Sequence, residues 1–162
     1  EIFMNNIGEP NKLFKILDNG KIVQIKISNA LEENGLGTGA AVADIDNDGV
    51  LELLISHGES GPQPLSLYKS NVKNKNFLRI GPKTIYGAPA RGATVILETN
   101  MRKHAKTIDA GSGYLCQMEP VAHYGFRENE IIKTILIKWT DGSVNEYKID
   151  QLNKTYEFRK GF

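Results

Sequence analysis

The stretch that decides the fold is Thr134-Ile135-Leu136-Ile137-Lys138-Trp139-Thr140-Asp141-Gly142-Ser143-Val144-Asn145-Glu146-Tyr147-Lys148-Ile149. Ile135, Ile137 and Trp139 recur every second residue, the period of a half-buried strand, so all three are assigned to one core-facing side. Asp141-Gly142 then supplies residues that accept positive φ, as a tight hairpin turn requires, and Val144 to Ile149 alternates on the far side. Working outward, the same grammar returns at Leu13 to Leu17, Asp18-Asn19-Gly20 and Val23 to Ile27. Further β-rich runs are Ala40 to Ala43, Leu51 to Ile55, Leu65 to Tyr68, Phe77 to Ile80, Thr94 to Leu97 and Thr155 to Phe158. Helical periodicity beyond one turn is hinted at only between Asn29 and Asn34. The chain reads as all-β.

Its 162 residues suffice for one ordinary domain or two small ones, and a 40% hydrophobic share supports a core. Twenty basic residues against nineteen acidic ones give a formal charge of +1, which leaves no electrostatic footprint for nucleic acid and no polybasic membrane arm. No apolar stretch approaches the ~20 residues of a membrane-spanning helix. Glu1-Ile2-Phe3-Met4 opens the sequence inside an apolar, strand-like run, as expected of a piece of a longer protein. A single cysteine, Cys116, excludes an internal disulfide framework and a Cys-rich zinc site.

One internal repeat is present. Glu1-Ile2-Phe3-Met4-Asn5-Asn6 matches Glu52-Leu53-Leu54-Ile55-Ser56-His57, 51 residues later. A loop with Gly and Pro follows each, and then Leu13-Phe14-Lys15 or Leu67-Tyr68-Lys69. A period near 50 in a β-rich chain is that of propeller blades, of which a closed ring takes about 4–8. Two partial repeats therefore imply the terminal part of a β-propeller whose remainder lies in a longer chain. The polar run 71–76 reads as a linker, which divides the chain into 1–72, the propeller-repeat region, and 73–162, a second β-domain.

Asp44-Ile45-Asp46-Asn47-Asp48-Gly49-Val50-Leu51-Glu52 carries the sharpest chemistry, with carboxylates at positions 1, 3, 5 and 9 and glycine at 6. At ~5 Å, each pair of carboxylates repels by about 0.8 kcal/mol in water and about 3 kcal/mol at an effective dielectric of 20. Convergent aspartates thus call for a cation, and hard oxygen ligands in flexible geometry suit Ca²⁺ better than Mg²⁺. The expected ligands are the side chains of Asp44, Asp46, Asp48 and Glu52 and the backbone carbonyl of Val50. An EF-hand would need a glutamate at position 12, where Ile55 stands inside an apolar run, so this is a loop between two strands. A solvated acidic turn is the plain alternative, since Asp-Asn-Asp-Gly is good turn chemistry unaided.

These residues carry a family resemblance. The acidic loop and its strands resemble the FG-GAP/VCBS repeats of integrin-like propellers. The second half resembles the ASPIC/UnbV domain in Gly92-Ala93, Asp109-Ala110-Gly111-Ser112-Gly113-Tyr114-Leu115, His123-Tyr124-Gly125 and Trp139-Thr140-Asp141-Gly142. Together with Ser56-His57-Gly58-Glu59-Ser60, Gln63-Pro64-Leu65-Ser66 and the run from Gly113 to His123, they resemble the cartilage acidic protein family. The resemblance implies an extracellular, secreted protein without enzymatic activity that acts on a protein partner or matrix component. A structural subunit of a large extracellular assembly, docked through its ASPIC/UnbV domain, is the alternative. By the 51-residue offset Glu1 corresponds to Glu52, as position 9 of a preceding calcium loop, and without that loop's aspartates it is not assigned as a ligand.

Other residues carry weaker signals. Cys116 and His123 invite a nucleophile reading, but Pro120 between them and a seven-residue spacing favour a buried thiol or one half of a disulfide to a cysteine elsewhere in a longer protein. His57-Gly58-Glu59-Ser60 sits past a strand end and serves either as a contact site or as a hydrogen-bonded turn. Arg91, Arg102, Lys103, His104 and Lys106 form a modest basic stretch, expected as a solvated strand face. Gly111-Ser112-Gly113 lacks the Gly-Lys-Ser/Thr ending of a phosphate loop. Asn153-Lys154-Thr155 is a glycosylation sequon, with Asn153 the acceptor in a secreted protein.

Overall fold

The structure is a computed structural model that describes residues 1–58, 61–71 and 76–161. Among these, thirteen strands form four small sheets and no α-helix occurs; a single 3₁₀ turn, Asn29–Leu31, falls where helical periodicity was hinted at. The chain divides into two compact units. The first comprises Glu1–Ile45, Leu51–Ser70 and Gly111–Met118, and the second Asp46–Val50, Asn71–Ala110 and Glu119–Phe162. The expected boundary near residue 73 lies outside the described residues.

The first unit holds two antiparallel sheets, β1 (Ile2–Met4), β2 (Lys12–Ile16) and β3 (Ile22–Ile25) in one, β4 (Gly37–Ala43), β5 (Glu52–His57) and β6 (Ser66–Lys69) in the other. The sequence repeat is a repeat of register. Ile2↔Phe14 and Phe3↔Leu13 in the first sheet occupy the places of Leu53↔Tyr68 and Leu54↔Leu67 in the second. Gly20, at φ 80°, makes the turn between β2 and β3. Ile55 is buried, but Ile2, Met4, Ile16, Ile22, Leu54 and Leu67 are exposed, with Ile16 opposite Ile22 and Leu54 opposite Leu67. Each sheet of this unit therefore presents apolar side chains to solvent.

The second unit has the larger core. β7 (Phe77–Lys83) lies between β10 (Ala122–Gly125), antiparallel, and β13 (Lys154–Arg159), parallel. The other sheet runs β12 (Val144–Tyr147), β11 (Ile132–Lys138), β8 (Thr94–Thr99) and β9 (Lys103–Thr107), all antiparallel. Alternate residues of both sheets meet in one cluster: Leu78 and Ile80 of β7, Tyr124 of β10, Val95 and Leu97 of β8, Ile135 and Ile137 of β11. Tyr124 is tied across it by its hydroxyl, which donates to the Val95 carbonyl at 3.0 Å. Trp139 follows β11 and is buried as expected, its indole N–H donating to Asn145 Oδ1. Pro82 sits inside β7 without breaking a ladder on the β10 side, because that pairing covers only Phe77 to Ile80.

Candidate metal centre

β4 and β5 pair from Gly37↔His57 to Ala43↔Glu52, with a shift between Gly37 and Gly39, so residues 44–51 form the connection. There the carboxylate oxygens of Asp44, Asp46 and Asp48 lie within 4.8 Å of one another. Asp44 is buried at the strand end, and the other two are exposed. At that spacing each pair of ionised carboxylates repels by about 0.9 kcal/mol in water and about 3.5 kcal/mol at a dielectric of 20. Three hard oxygen donors converging on one point fit a divalent cation, and the group can hold a metal ion.

The chain reaches this arrangement through two left-handed residues, Asn47 at φ 59° and Gly49 at φ 85°. Gly49 is constrained twice over: a Cβ there would lie 2.1 Å from Cδ1 of Phe77. The Val50 N–H donates to Asp48 Oδ1 at 2.9 Å, which closes a local turn around that carboxylate. Asn47 Oδ1 accepts from Arg79 Nη1 at 2.6 Å, and the other arm of the same guanidinium donates to Glu119. Phe77 stacks on His123, with ring centroids 6.1 Å apart and planes 3° from parallel.

Glu52, expected at position 9, lies outside the three-aspartate group. Its Oε2 accepts the Ile45 N–H at 2.8 Å, and its Oε1 is 3.1 Å from Lys69 Nζ. Its carboxylate thus fastens the start of the loop to β5 through the backbone. Val50 takes part through its N–H.

A second polar centre escaped sequence reasoning. Glu32, at φ 42° just past the 3₁₀ turn, accepts the Tyr68 hydroxyl at 2.7 Å and Asn11 Nδ2–H at 3.2 Å, and His57 Nε2 lies 2.9 Å away. His57 Nδ1 lies 2.7 Å from the Pro64 carbonyl. Burial alone would raise the Glu32 pKa. Hydrogen bonds from Ser66, Tyr68 and His57, with the His57 charge, outweigh it and hold the carboxyl below its ordinary range. His57 is thus not past the strand end but the last residue of β5, paired with Gly37 and hydrogen-bonded through both ring nitrogens, while Glu59 and Ser60 lie outside the described residues. Glu32 stands in a polar stretch, Asn29 to Asn34, whose composition gives no hint that it gathers groups from β5, β6 and the approach to β2.

The other sequence candidates find separate settings. Cys116 donates its thiol to the Ala40 carbonyl at 3.0 Å, and a Cβ on Gly113 would meet its sulfur at 2.9 Å. His104 sets its ring edge-on to Tyr124, 5.6 Å between centroids; burial, then the charges of Arg102 and Lys106, lower its pKa. Asn153, at φ 60°, exchanges hydrogen bonds with Phe77: its N–H donates to the Phe77 carbonyl and its Oδ1 accepts the Phe77 N–H. Its Nδ2 makes a long, 3.3 Å contact with Asn76. Among the described residues, no helix is long and apolar enough to cross a membrane.

Residues 84–161 match the family model for ASPIC and UnbV. The chain is 46% identical over 154 residues to cartilage acidic protein 1 of Homo sapiens, covering 89% of this chain and 23% of that protein. It is 41% identical over 169 residues to cartilage acidic protein 1 of Mus musculus, covering 97% and 26%. For cartilage acidic protein 1 of Xenopus tropicalis the figures are 43% over 158 residues, 89% and 24%. The chain spans about a quarter of the length of the curated relatives it matches. Residues 84–161 belong to the ASPIC and UnbV family, and the chain is homologous to cartilage acidic protein 1 over most of its length.

Proposed function

We propose that this chain is a calcium-binding, non-enzymatic part of an extracellular protein that acts by contacting a protein partner or matrix component. The observation that carries the reading is the convergence of Asp44, Asp46 and Asp48 within 4.8 Å on a connection between two paired strands. Calcium held there supplies the positive charge that offsets three carboxylates. The chain's own residues do the rest: Val50 N–H orients Asp48, Glu52 anchors Ile45, and Gly49 permits the turn. The Val50 carbonyl and Glu52 are proposed as additional oxygen ligands.

The two equivalent sheets of the first unit support a reading of residues 1–72 as propeller blades, with 73–162 as the ASPIC/UnbV part. Their matched registers and uncovered apolar residues are what neighbouring blades would bury. Asn153 is proposed as a glycan acceptor, being exposed with an Nδ2 that makes one long contact. The homology supports the extracellular setting, where calcium at millimolar levels would keep a site of about 10⁻⁴–10⁻³ M occupied.

A thermal melt with calcium titrated upward from EGTA tests the metal reading. A hundredfold excess over the dissociation constant adds about 2.7 kcal/mol, or roughly 5–10 °C for a chain of this size. That rise is expected in the wild type and absent from the Asp46→Ala/Asp48→Ala variant. A folded wild type that melts at one temperature throughout contradicts the proposal.

A further inference from the structure

We infer that Arg79 is a positioning residue for the acidic loop, fixing the backbone between two of its carboxylates through Asn47; the inference rests on the metal reading above. Phe77 and Arg79 are two apart on β7 and project to the same face of the sheet. Residues 46–50 are seated on that face, with Gly49 against the Phe77 ring and Asn47 held by the Arg79 guanidinium. Asn47 stands between Asp46 and Asp48, so its φ and ψ decide where both carboxylates point. At φ 59° it occupies a region that asparagine tolerates but does not require. The 2.6 Å bond from Arg79 selects that conformation from the alternatives open to a free loop.

The choice of a cation so near a cation site has its own explanation. Arg79 is 6% exposed, and its second arm is paired with Glu119. The pair is neutral overall, so the fork offers Asn47 a charge-assisted hydrogen bond without adding net positive charge beside the ion. Arginine suits this task because its planar fork binds two acceptors at a fixed angle, which the point charge of lysine does not.

Calcium binding to the full chain, measured by titration calorimetry, separates this role from general stabilisation. Asn47→Gly deletes the acceptor while keeping the left-handed conformation accessible, and Arg79→Lys keeps the charge while deleting the fork. Each is expected to weaken calcium binding about tenfold, and the double variant no more than the weaker single one, since both remove one interaction. Glu119→Gln removes the carboxylate paired with the second arm of Arg79, and its loss of affinity is expected to shrink as salt is raised. Wild-type affinity in a folded Asn47→Gly protein overturns the positioning role while leaving the metal reading intact. If Arg79→Lys fails to fold, Asn47→Gly decides alone. Absence of binding in the wild type overturns the metal reading and this inference with it.

Discussion

Replacing Gly49 with alanine strikes the acidic loop at the point where backbone and packing meet. The residue holds φ 85°, a conformation that costs an L-residue about 1–2 kcal/mol. Its new Cβ would stand 2.1 Å from Cδ1, 2.5 Å from Cγ and 2.7 Å from Cε1 of Phe77, where carbon atoms rest at about 3.5–4.0 Å. Phe77 is buried and stacked on His123, so relief requires the ring or the loop to shift, at about 1–3 kcal/mol. The sum is roughly 2–5 kcal/mol. Gly142→Ala is the matched control in the same unit: its φ is 86°, and nothing lies within 4 Å of the added carbon. Urea unfolding in EGTA should therefore rank wild type above Gly142→Ala and Gly142→Ala above Gly49→Ala. With a slope of about 1–3 kcal/mol per molar urea, the gap between the variants is about 1 M in midpoint. Phe77→Leu in the Gly49→Ala background should recover part of the loss. Equal losses in the two alanine variants would refute the claim that the loop is seated on Phe77.

Glu32 sits below its ordinary value near 4.5, so the stability it contributes is complete above that pH and lost as pH falls through the lower folded value. Glu32→Gln should flatten the acid limb of the first unit's unfolding curve below pH 4.5, read by urea midpoints across the acid range; an unchanged limb would remove Glu32 as the brace. Glu130, its side chain fully buried, accepts from Thr99, Arg102 and the Arg127 N–H. Glu130→Ala should cost about 2–3 kcal/mol, at the low side for a broken buried pair because Arg102 remains 31% exposed. A loss under half a kilocalorie in equilibrium unfolding would show that solvent replaces Glu130 freely.

Local pattern carried much of the fold. The alternation of Ile135, Ile137 and Trp139 placed those residues in the core, and Asp141-Gly142 marked its hairpin. The repeat was legible because register follows from which apolar residues alternate, and both copies keep them. β9 was legible only as a charged strand face: all of Lys103 to Thr107 is exposed, so no apolar alternation fixes its bounds. The parallel pairing of β13 with β7 joins residues far apart in sequence, and neither strand records its partner. In the acidic loop, the spacing of the three aspartates brings them within reach of one another, but the hold of Arg79 on Asn47 comes from β7 and is not recorded in the loop itself. The turning of Glu52 toward Ile45 and Lys69 depends on β6, which brings Lys69 opposite Glu52. Glu32 was hidden for the same reason, its partners being gathered from separate strands.

The most direct measurement is a crystal structure of the chain grown in millimolar calcium, with anomalous scattering used to identify the ion. The expected result is one calcium among Asp44, Asp46 and Asp48, with 6–8 oxygen ligands at about 2.3–2.6 Å. The same map shows whether the Val50 carbonyl and Glu52 complete the shell. A well-ordered loop with no ion there, at calcium concentrations well above 10⁻³ M, would contradict the calcium assignment and leave the three aspartates as a solvated turn.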